Sequence, residues 1–309
     1  MKILVAGAAG HIGSALIRHP GLVAECSEII LVDNMATQRY PSFFDLTTGK
    51  YRLVIGDVRN VVTAELLEGV SAVVHLAAIA DPGLSVEAPE LVWHHNLAVT
   101  QHLVDECSKG RVPIVFPSST SVYSASGPSL AESADCSSPA TPYARCKLVE
   151  EAYIQDEFTR GLRGSIFRFG TIFGTSPGMR FHTAVNRFCL EATLGVPLHV
   201  FSGALDKVRP YLSVQDAVEA IVTTLRTGIY AGDVVNLASC AASVSDVIES
   251  IRSCDVQVRV EFVDSLASSE HSFGVSMARA NSSGIHCPNG LESGILETMH
   301  LLRGIRGWP

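Results

Sequence analysis

The sequence predicts an α/β protein built on a parallel, doubly wound β-sheet. Three observations support this fold class: short runs of β-branched and aliphatic residues recur along the chain, amphipathic stretches separate them, and a glycine-rich segment follows the first run. Alternation of strand and helix favours parallel strands joined by right-handed crossovers. The chain of 309 residues has room for one large domain or for two closely packed lobes.

Seven apolar runs are the predicted strands. Most of them are continuous rather than alternating, which is typical of strands that are buried on both faces. They are Ile3–Ala6, Ile29–Val32, Leu53–Ile55, Ala72–Leu76, Ile114–Phe116, Ile166–Phe169 and Val234–Leu237. The amphipathic stretches predicted as helices include Ile12–His19, Val62–Leu67, Leu91–Cys107 and Tyr143–Phe158. Ligands of such sheets bind beyond the carboxyl ends of the strands, so we expect the functional site there.

The pattern changes in the second half of the chain. After about residue 170 it loosens into segments rich in Gly, Pro and Ser, such as Gly174–Gly178 and Asn281–Gly294. We therefore expect residues 1–170 to form the larger domain, to which residues 209–240 return. Residues 171–208 and 241–309 are expected to form a smaller, interleaved substrate-binding lobe.

Composition argues against several classes of protein. The net charge is −8 and no block of Lys or Arg is present, so a nucleic-acid partner is not expected. No uncharged apolar stretch approaches the roughly eighteen residues of a membrane span, and the N-terminus does not fit a signal peptide, so we expect a cytoplasmic protein without a membrane partner. Eight scattered cysteines without a C-x-x-C pair suit reduced thiols, and no metal site is expected.

The segment Gly7-Ala8-Ala9-Gly10-His11-Ile12-Gly13 lies between the first predicted strand and the first predicted helix. Glycine permits a tight turn and a close approach of the backbone to a pyrophosphate, and the free amides of a helix start attract the anion. Alone, the segment could be a purely structural turn. Asp33 ends the second strand, with Asn34 beside it, and its carboxylate can accept hydrogen bonds from a ribose diol and would repel a 2′-phosphate. The combination predicts a Rossmann-type site for NAD rather than NADP, although Arg39 leaves NADP open.

A second group of residues suggests acid–base chemistry. Tyr143 and Lys147 are four residues apart on a predicted helix and so share one face. A nearby ammonium favours the phenolate, which moves the pKa of a tyrosine toward the neutral range. Ser119 and Thr120 follow the predicted strand Ile114–Phe116, where their hydroxyls can hydrogen-bond a substrate hydroxyl or the carbonyl formed from it. Each motif alone also fits an ordinary helix pair or a serine-rich loop.

Taken together, the motifs resemble the extended short-chain dehydrogenase/reductases, and within them the nucleotide-sugar epimerases, dehydratases and reductases. The resemblance rests on the glycine-rich segment, Asp33, Gly56-Asp57-Val58, His75-Leu76-Ala77-Ala78, Asn96, Ser119, Tyr143-x-x-x-Lys147, Arg168–Gly174 and Arg209–Asp216. These landmarks cover nearly the whole chain.

The resemblance implies a role for each matching catalytic position. Tyr143 would accept and donate the proton, and Lys147 would hold the nicotinamide ribose and lower the Tyr143 pKa. Ser119, helped by Thr120, would hydrogen-bond the reacting sugar hydroxyl. Asn96 would help to fix the geometry of the site.

Binding residues follow from the same resemblance. Asp57 and Val58 would flank the adenine, and Arg209 would pair with the substrate diphosphate, a role that suits a planar guanidinium. The predicted cofactor-binding residues are Gly7, Gly10, His11, Ile12, Gly13, Asp33, Asn34, Asp57, Val58, Leu76, Ala77, Ala78, Tyr143 and Lys147. The predicted substrate-binding residues are Ser119, Thr120, Tyr143, Thr171, Arg180, Asn186 and Arg209.

Departures from the family pattern restrict the chemistry. The 4,6-dehydratases carry an Asp-Glu pair where this chain has Thr120 and Ser121, so the acids for eliminating water are missing. The sugar-acid decarboxylases carry Glu, and the 3,5-epimerases Cys, at the position of Ser121. Thr171 replaces the Asn of an Arg-x-x-Asn motif, which puts the usual diphosphate contact in doubt.

The remaining chemistry is reversible hydride transfer at a sugar carbinol. The leading prediction is an NAD-dependent nucleotide-sugar 4-epimerase that acts through a transient 4-keto sugar. The alternatives are an NAD(P)H-dependent 4-ketoreductase or dehydrogenase and, from another class, a noncatalytic NAD-binding scaffold. The resemblance also implies a homodimer formed by the helices near Leu91–Cys107 and Tyr143–Phe158. The nucleotide, the sugar and the physiological direction stay open.

Overall fold

The structure is a computed structural model that describes residues 1–47, 49–254, 257–264 and 271–304. The strands in this part of the chain are β1 (Lys2–Ala6), β2 (Glu28–Asp33), β3 (Tyr51–Ile55), β4 (Ala72–His75), β5 (Ile114–Ser119), β6 (Gly127–Leu130), β7 (Gly164–Phe169), β8 (Thr171–Phe173), β9 (Leu198–Phe201), β10 (Arg209–Ser213), β11 (Val234–Leu237), β12 (Cys240–Ala242), β13 (Val260–Val263) and β14 (Phe273–Val275). The α-helices are α1 (His11–Leu16), α2 (Pro20–Glu25), α3 (Val58–Val61), α4 (Pro82–Glu87), α5 (Pro89–Gly110), α6 (Pro142–Thr159), α7 (Ala184–Leu194), α8 (Val214–Thr227), α9 (Val244–Arg252), α10 (Ala278–Ser282) and α11 (Leu291–Leu302). Two 3₁₀ turns span Tyr40–Phe43 and Thr120–Val122.

A seven-stranded parallel sheet is the centre of the fold. Its strand order is β3-β2-β1-β4-β5-β7-β11, and every neighbouring pair is parallel. Each of the seven predicted strands lies in this sheet, so the predicted fold class is confirmed. The strand order reverses between β1 and β4, which is the position where doubly wound sheets bind their ligands.

The continuous apolar strands result from helices on both faces of the sheet. In β1, Ile3 and Val5 pack into one apolar cluster with α1 and α8, whereas Leu4 and Ala6 pack into another with α5 and α6. All four side chains are inaccessible to solvent. A strand that is covered on both sides has no solvent-facing position for a polar residue.

Two predicted elements differ from the structure. We expect the run Leu53–Ile55 to be buried on both faces, but among the described strands β3 pairs only with β2 at the edge of the sheet, and Ile55 is 58% exposed. The predicted helix Val62–Leu67 is wrong. The helix in this region is α3, which precedes the predicted one in the chain. It begins there because Asp57 caps it by accepting a hydrogen bond from the Arg59 amide at 2.9 Å.

The smaller lobe has its own apolar cluster and short sheets. The strand orders are β12-β10-β8, β13-β9 and β14-β6, and α7, α9 and α11 pack around Phe173, Phe188 and Ile295. The packing departs from our boundaries at three places: β6 and β10 pair with strands of the smaller lobe, and α10 packs against β11 of the large sheet. The division into two lobes therefore stays a proposal, and residues 255–256, 265–270 and 305–309 of the predicted lobe lie outside the described residues.

Within the described part of the chain, no helix combines the length and the apolar character that a membrane crossing needs. All eight cysteines are free thiols.

Candidate active site

The glycine-rich turn at the end of β1 forms a cradle that lacks side chains at Gly7, Gly10 and Gly13. Gly7 has φ +81°, and a Cβ on it would lie 2.6 Å from the Ala77 amide nitrogen. A Cβ on Gly13 would overlap the carbonyl oxygen of Gly7. The N-cap of α1 is Gly10, whose lack of a side chain leaves the first amides of that helix open. This arrangement fits the pyrophosphate of a dinucleotide, which needs a close backbone approach and free amides.

Asp33 fixes the cradle to the end of β2. Its Oδ2 accepts from the Ala9 amide and its Oδ1 from the Met35 amide, both at 2.9 Å. A carboxylate has about four acceptor positions, so it can also accept from a ribose diol. Arg39 is close enough for its charge to interact with Asp33, and burial lowers the pKa of the Arg39 guanidinium. Asn34 is exposed and accepts from the Ala36 amide at 3.0 Å.

Asn96 on α5 positions the segment that follows β4. Its side chain accepts from the Ile79 amide at 2.8 Å and donates to the Ile79 carbonyl at 3.0 Å. It is 1% exposed, so its amide serves the backbone rather than a ligand. In the same segment Leu76 and Ala77 lie against Gly7, and Ala78 is exposed.

Asp57 and Val58 lie beyond β3. Arg59 donates two side-chain hydrogen bonds to Asp57, at 2.9 and 2.6 Å, and these bonds lower the pKa of Asp57 to about 2. Val58 is 5% exposed. The predicted contact of these residues with adenine stays a prediction.

A segment after β8 packs directly on the cradle. The carbonyl of Gly174 lies 3.0 Å from His11 Nε2, and burial lowers the pKa of His11 to about 4, so its neutral ring donates this bond from Nε2. The Gly178 amide donates to Ser14 Oγ at 2.8 Å, and a Cβ on Gly178 would lie 2.6 Å from the Gly10 carbonyl oxygen. We did not predict these contacts from the sequence, since they join residues more than 160 positions apart.

The predicted hydroxyl groups follow β5. Ser119 Oγ accepts from the Ser121 amide at 3.2 Å and from Ser121 Oγ at 2.9 Å, which leaves its own proton available to a ligand. The Thr120 hydroxyl instead donates to the Phe169 carbonyl at 3.2 Å, and its side chain is 5% exposed. Among the described residues, therefore, the Thr120 hydroxyl proton has an acceptor and the Ser119 hydroxyl proton has none.

Tyr143 and Lys147 share the inner face of α6, as predicted. The helix begins after Thr141, whose side chain accepts from the Ala144 amide at 3.1 Å. Lys147 Nζ is 5.8 Å from the centre of the Tyr143 ring and 4.3 Å from that of Phe116 on β5. Burial raises the pKa of Tyr143, and the Lys147 ammonium only partly opposes this. Lys147 therefore lowers the pKa of Tyr143 as predicted, but the loss of hydration has the larger effect.

A buried polar chain extends from Lys147 into the protein. Glu150 Oε2 lies 3.2 Å from Lys147 Nζ. Thr100 Oγ1 donates to Glu150 Oε1 at 2.5 Å, and His75 Nε2 lies 2.9 Å from the same Thr100 oxygen. Burial lowers the pKa of His75 to about 3, so the ring is neutral. We did not single out Glu150 from the sequence, although its position three residues after Lys147 places it on the same helix face.

Two predicted nucleotide-binding residues follow β8. Burial lowers the pKa of Arg180, and the positive charge of Arg39 lowers it further. The Nε of Arg180 has no hydrogen-bond partner among the described residues. Asn186 is inaccessible to solvent and holds the same segment: it accepts from the Gly174 amide at 3.1 Å and donates to the Arg180 carbonyl at 3.2 Å. We therefore assign Asn186 to holding this segment rather than to contact with the nucleotide.

Thr171 and Arg209 begin the adjacent parallel strands β8 and β10. The Arg209 guanidinium carbon lies 5.1 Å from the centre of the Phe273 ring, and burial lowers its pKa. The side chain is thus held beside an aromatic ring, and its predicted contact with a phosphate stays a prediction.

Comparison with known proteins decides the family. The profile of the NAD-dependent epimerase/dehydratase family matches residues 3–238. The chain belongs to this family. The predictions of an NAD-dependent enzyme and of a Rossmann-type fold are therefore confirmed.

This family member is similar to curated proteins over most of its length. It is 30% identical over 270 residues to the uncharacterized UDP-glucose epimerase YtcB of Bacillus subtilis, which covers 81% of each chain. It is 27% identical over 245 residues to the UDP-glucose 4-epimerase of Azospirillum brasilense, covering 72% of this chain and 68% of the relative. Among solved structures, MoeE5 in complex with UDP-glucuronic acid and NAD superposes with a TM-score of 0.85 at 26% identity, covering 98% of this chain and 99% of the other.

Proposed function

We propose that the protein is a nucleotide-sugar 4-epimerase that acts through a transient 4-keto sugar. The observation that carries the proposal is the grouping of Tyr143, Lys147 and Ser119 at the carboxyl edge of the sheet, where α6 packs against β5 and the turn after it. The glycine cradle opens at the same edge. The names of the two curated relatives and the ligands of MoeE5 support the same function.

The chain's own residues supply proton transfer and orientation. NAD, when bound, supplies a positively charged ring that accepts a hydride and returns it. Tyr143 takes the proton of the C4 hydroxyl and later gives it back, and Ser119 donates a hydrogen bond to the C4 oxygen. Lys147 holds the cofactor ribose and favours the phenolate of Tyr143. Rotation of the 4-keto sugar within the site then exposes the other face of its carbonyl group.

The substrate is proposed to be a nucleotide-diphosphate sugar, of which a UDP sugar is the form named in the relatives. Arg209 and Arg180 are the proposed diphosphate ligands, since guanidinium groups bind phosphate oxygens through paired hydrogen bonds. The nucleotide binds away from the reacting carbon, and its binding energy stabilises the transition state by positioning the sugar.

Epimerisation without added cofactor tests the proposal. Purified protein is incubated with UDP-glucose, UDP-glucuronic acid and UDP-N-acetylglucosamine, and C4 epimers are separated by chromatography. The expected result is interconversion of at least one pair with no net NADH. Stoichiometric NADH consumption on a 4-keto sugar, with no epimer formed, would instead identify the 4-ketoreductase.

We also propose a homodimer built on the exposed faces of α5 and α6. Leu91 on α5 and Val149 on α6 are apolar side chains that are 56% and 39% exposed. The two helices pack against each other, so two copies would bury a four-helix interface. The cytoplasmic location and the lack of nucleic-acid and membrane partners stay predictions.

A further inference from the structure

A buried carboxylate lies beside the lysine of the proposed active site. Glu150 is 1% exposed and Lys147 3% exposed, and the 3.2 Å between their charged atoms makes them a buried ion pair. Removing a carboxylate from water is strongly unfavourable unless a cation and hydrogen bonds compensate. Apart from Lys147, Glu150 Oε2 has no hydrogen-bond donor in the described part of the chain, so the Lys147 ammonium is what stabilises it.

The other oxygen of Glu150 is held in one place. Because the neutral His75 ring lacks a partner at Nδ1 in the described part, its proton is placed on Nε2 and is donated to Thr100 Oγ1. Thr100 in turn donates its own proton to Glu150 Oε1. Both hydrogen bonds are therefore donated in the same direction, from His75 on β4 to Thr100 on α5 and from Thr100 to Glu150 on α6. They end at the carboxylate that faces Lys147.

We propose that Glu150 is a positioning residue that fixes the Lys147 ammonium and strengthens the hold of the Tyr143–Lys147 pair on its proton. The proposal rests on the proposed function, because that proton is the one exchanged with the sugar. It acts through Lys147 and requires no contact between Glu150 and substrate.

The direction of the effect does not depend on which member of the pair loses the proton. Fully protonated, Tyr143 and Lys147 carry one positive charge, and the first deprotonation makes the pair neutral whether the phenol or the ammonium gives up the proton. A fixed negative charge stabilises the protonated pair. Replacing Glu150 by a neutral residue therefore lowers the first apparent pKa of the pair.

The other charged or titratable groups that face the pair do not change state near neutral pH. They are Cys146 on α6, His75 on β4 and Arg180 after β8, while α5 and β5 contribute Thr100 and Phe116. Burial raises the pKa of Cys146 to about 12 and lowers that of His75 to about 3. Arg180 stays protonated as a guanidinium.

The test compares Glu150→Gln with wild type in two measurements. Epimerisation rates give the acid limb of the pH profile, and the NAD-loaded protein with ¹³Cζ-labelled tyrosine gives the Tyr143 titration by NMR, assigned with Tyr143→Phe. We expect both midpoints to fall by about 1–3 pH units, the usual effect of a charge within about 4–6 Å. Glu150→Asp keeps the negative charge but moves it one methylene further from Lys147, so it should lower both midpoints by less than Glu150→Gln does. This variant also provides the test if Glu150→Gln fails to fold.

Glu157→Gln is the matched control. It removes the same charge from the same helix, ten residues from Lys147, and should leave both midpoints unchanged. Midpoints of folded Glu150→Gln or Glu150→Asp at or above the wild-type value would overturn the proposal. If wild type epimerises no nucleotide sugar, the proposed function fails, while the NMR titration of the pair still decides the role of Glu150.

Discussion

At the scale of single residues, Tyr143 shows how burial and charge compete in this protein. Loss of hydration raises its pKa, Lys147 lowers it, and Glu150 raises it again. A phenol in that environment keeps its proton at neutral pH, so the proposed proton transfer depends on the charged groups around Tyr143.

Removal of the Tyr143 hydroxyl tests the proposed proton transfer. Tyr143→Phe should reduce epimerisation by about 10²- to 10⁴-fold, the usual contribution of a positioned acid–base group. The amount of NAD retained by the protein, measured by absorbance after acid release, should be unchanged. Tyr230→Phe is the control, because Tyr230 lies beside Arg163 at the opposite edge of the sheet. Turnover of Tyr143→Phe within threefold of wild type would show that another group transfers the proton.

His75 should make the stability depend on pH. Burial lowers its pKa in the folded protein to about 3 from the ordinary value of 6.5, so between these values the unfolded chain binds a proton that the folded chain excludes. The free energy of unfolding therefore decreases as pH falls through this window, by about 1.4 kcal/mol per unit for this residue. His75→Gln keeps an N–H donor for Thr100 and cannot take up the proton.

Urea denaturation measures this contribution. Between about pH 6 and about pH 4.5, wild type should lose about 2 kcal/mol more unfolding free energy than His75→Gln. His300→Gln, on the outer face of α11, should lose as much as wild type. Equal losses in wild type and His75→Gln would show that His75 is protonated in the folded state.

At the scale of elements, the turn between β1 and α1 is fixed from three sides. Asp33 at the end of β2 binds it, the segment after β4 lies against Gly7, and the segment after β8 packs on it through Gly178. At Gly7 and Gly178 the approach is too close for an added side chain. The cradle is therefore a product of four segments rather than of the glycines alone.

A methyl group at Gly13 should disrupt the cradle. In Gly13→Ala the new Cβ would overlap backbone oxygens of the turn, which cannot give way as a flexible side chain could. Overpacking of this kind costs about 1–3 kcal/mol of unfolding free energy, so we expect a lower melting temperature. We also expect a loss of NAD binding, which calorimetry measures. Gly304→Ala, with no atom within 4 Å of the added Cβ, should behave as wild type. Unchanged NAD affinity in Gly13→Ala would place the pyrophosphate elsewhere.

At the scale of the whole molecule, the apolar side chains left on α5 and α6 point to a second copy of the chain. Val149→Glu would place a charge in the proposed four-helix interface, where it would lack both water and a partner. We expect light scattering to show monomers for this variant and dimers for wild type. Leu296→Glu on α11, a residue that is 60% exposed, should leave the dimer intact. A dimeric Val149→Glu, or a monomeric wild type, would remove the proposed interface.

The strands of the large sheet and the main motifs could be predicted from the sequence because their signals are local. A run such as Ile3–Ala6 is apolar at every position, and the glycines that follow it serve one turn. Tyr143 and Lys147 need only the period of one helix. The prediction fails at Leu53–Ile55 because an apolar run does not show whether the strand lies at the edge of a sheet.

The sequence by itself determined the parallel α/β sheet, the position of the glycine cradle, the acid at the end of β2 and the Tyr–Lys pair. Only the tertiary structure decided that Glu150 faces Lys147, that Asn186 serves the backbone, and that burial outweighs the ammonium at Tyr143. The physical reason is the separation along the chain over which each effect acts. Periodicity and turn chemistry act between neighbours in the chain, whereas hydration and charge depend on every group within a few ångströms, including those that lie far away in sequence.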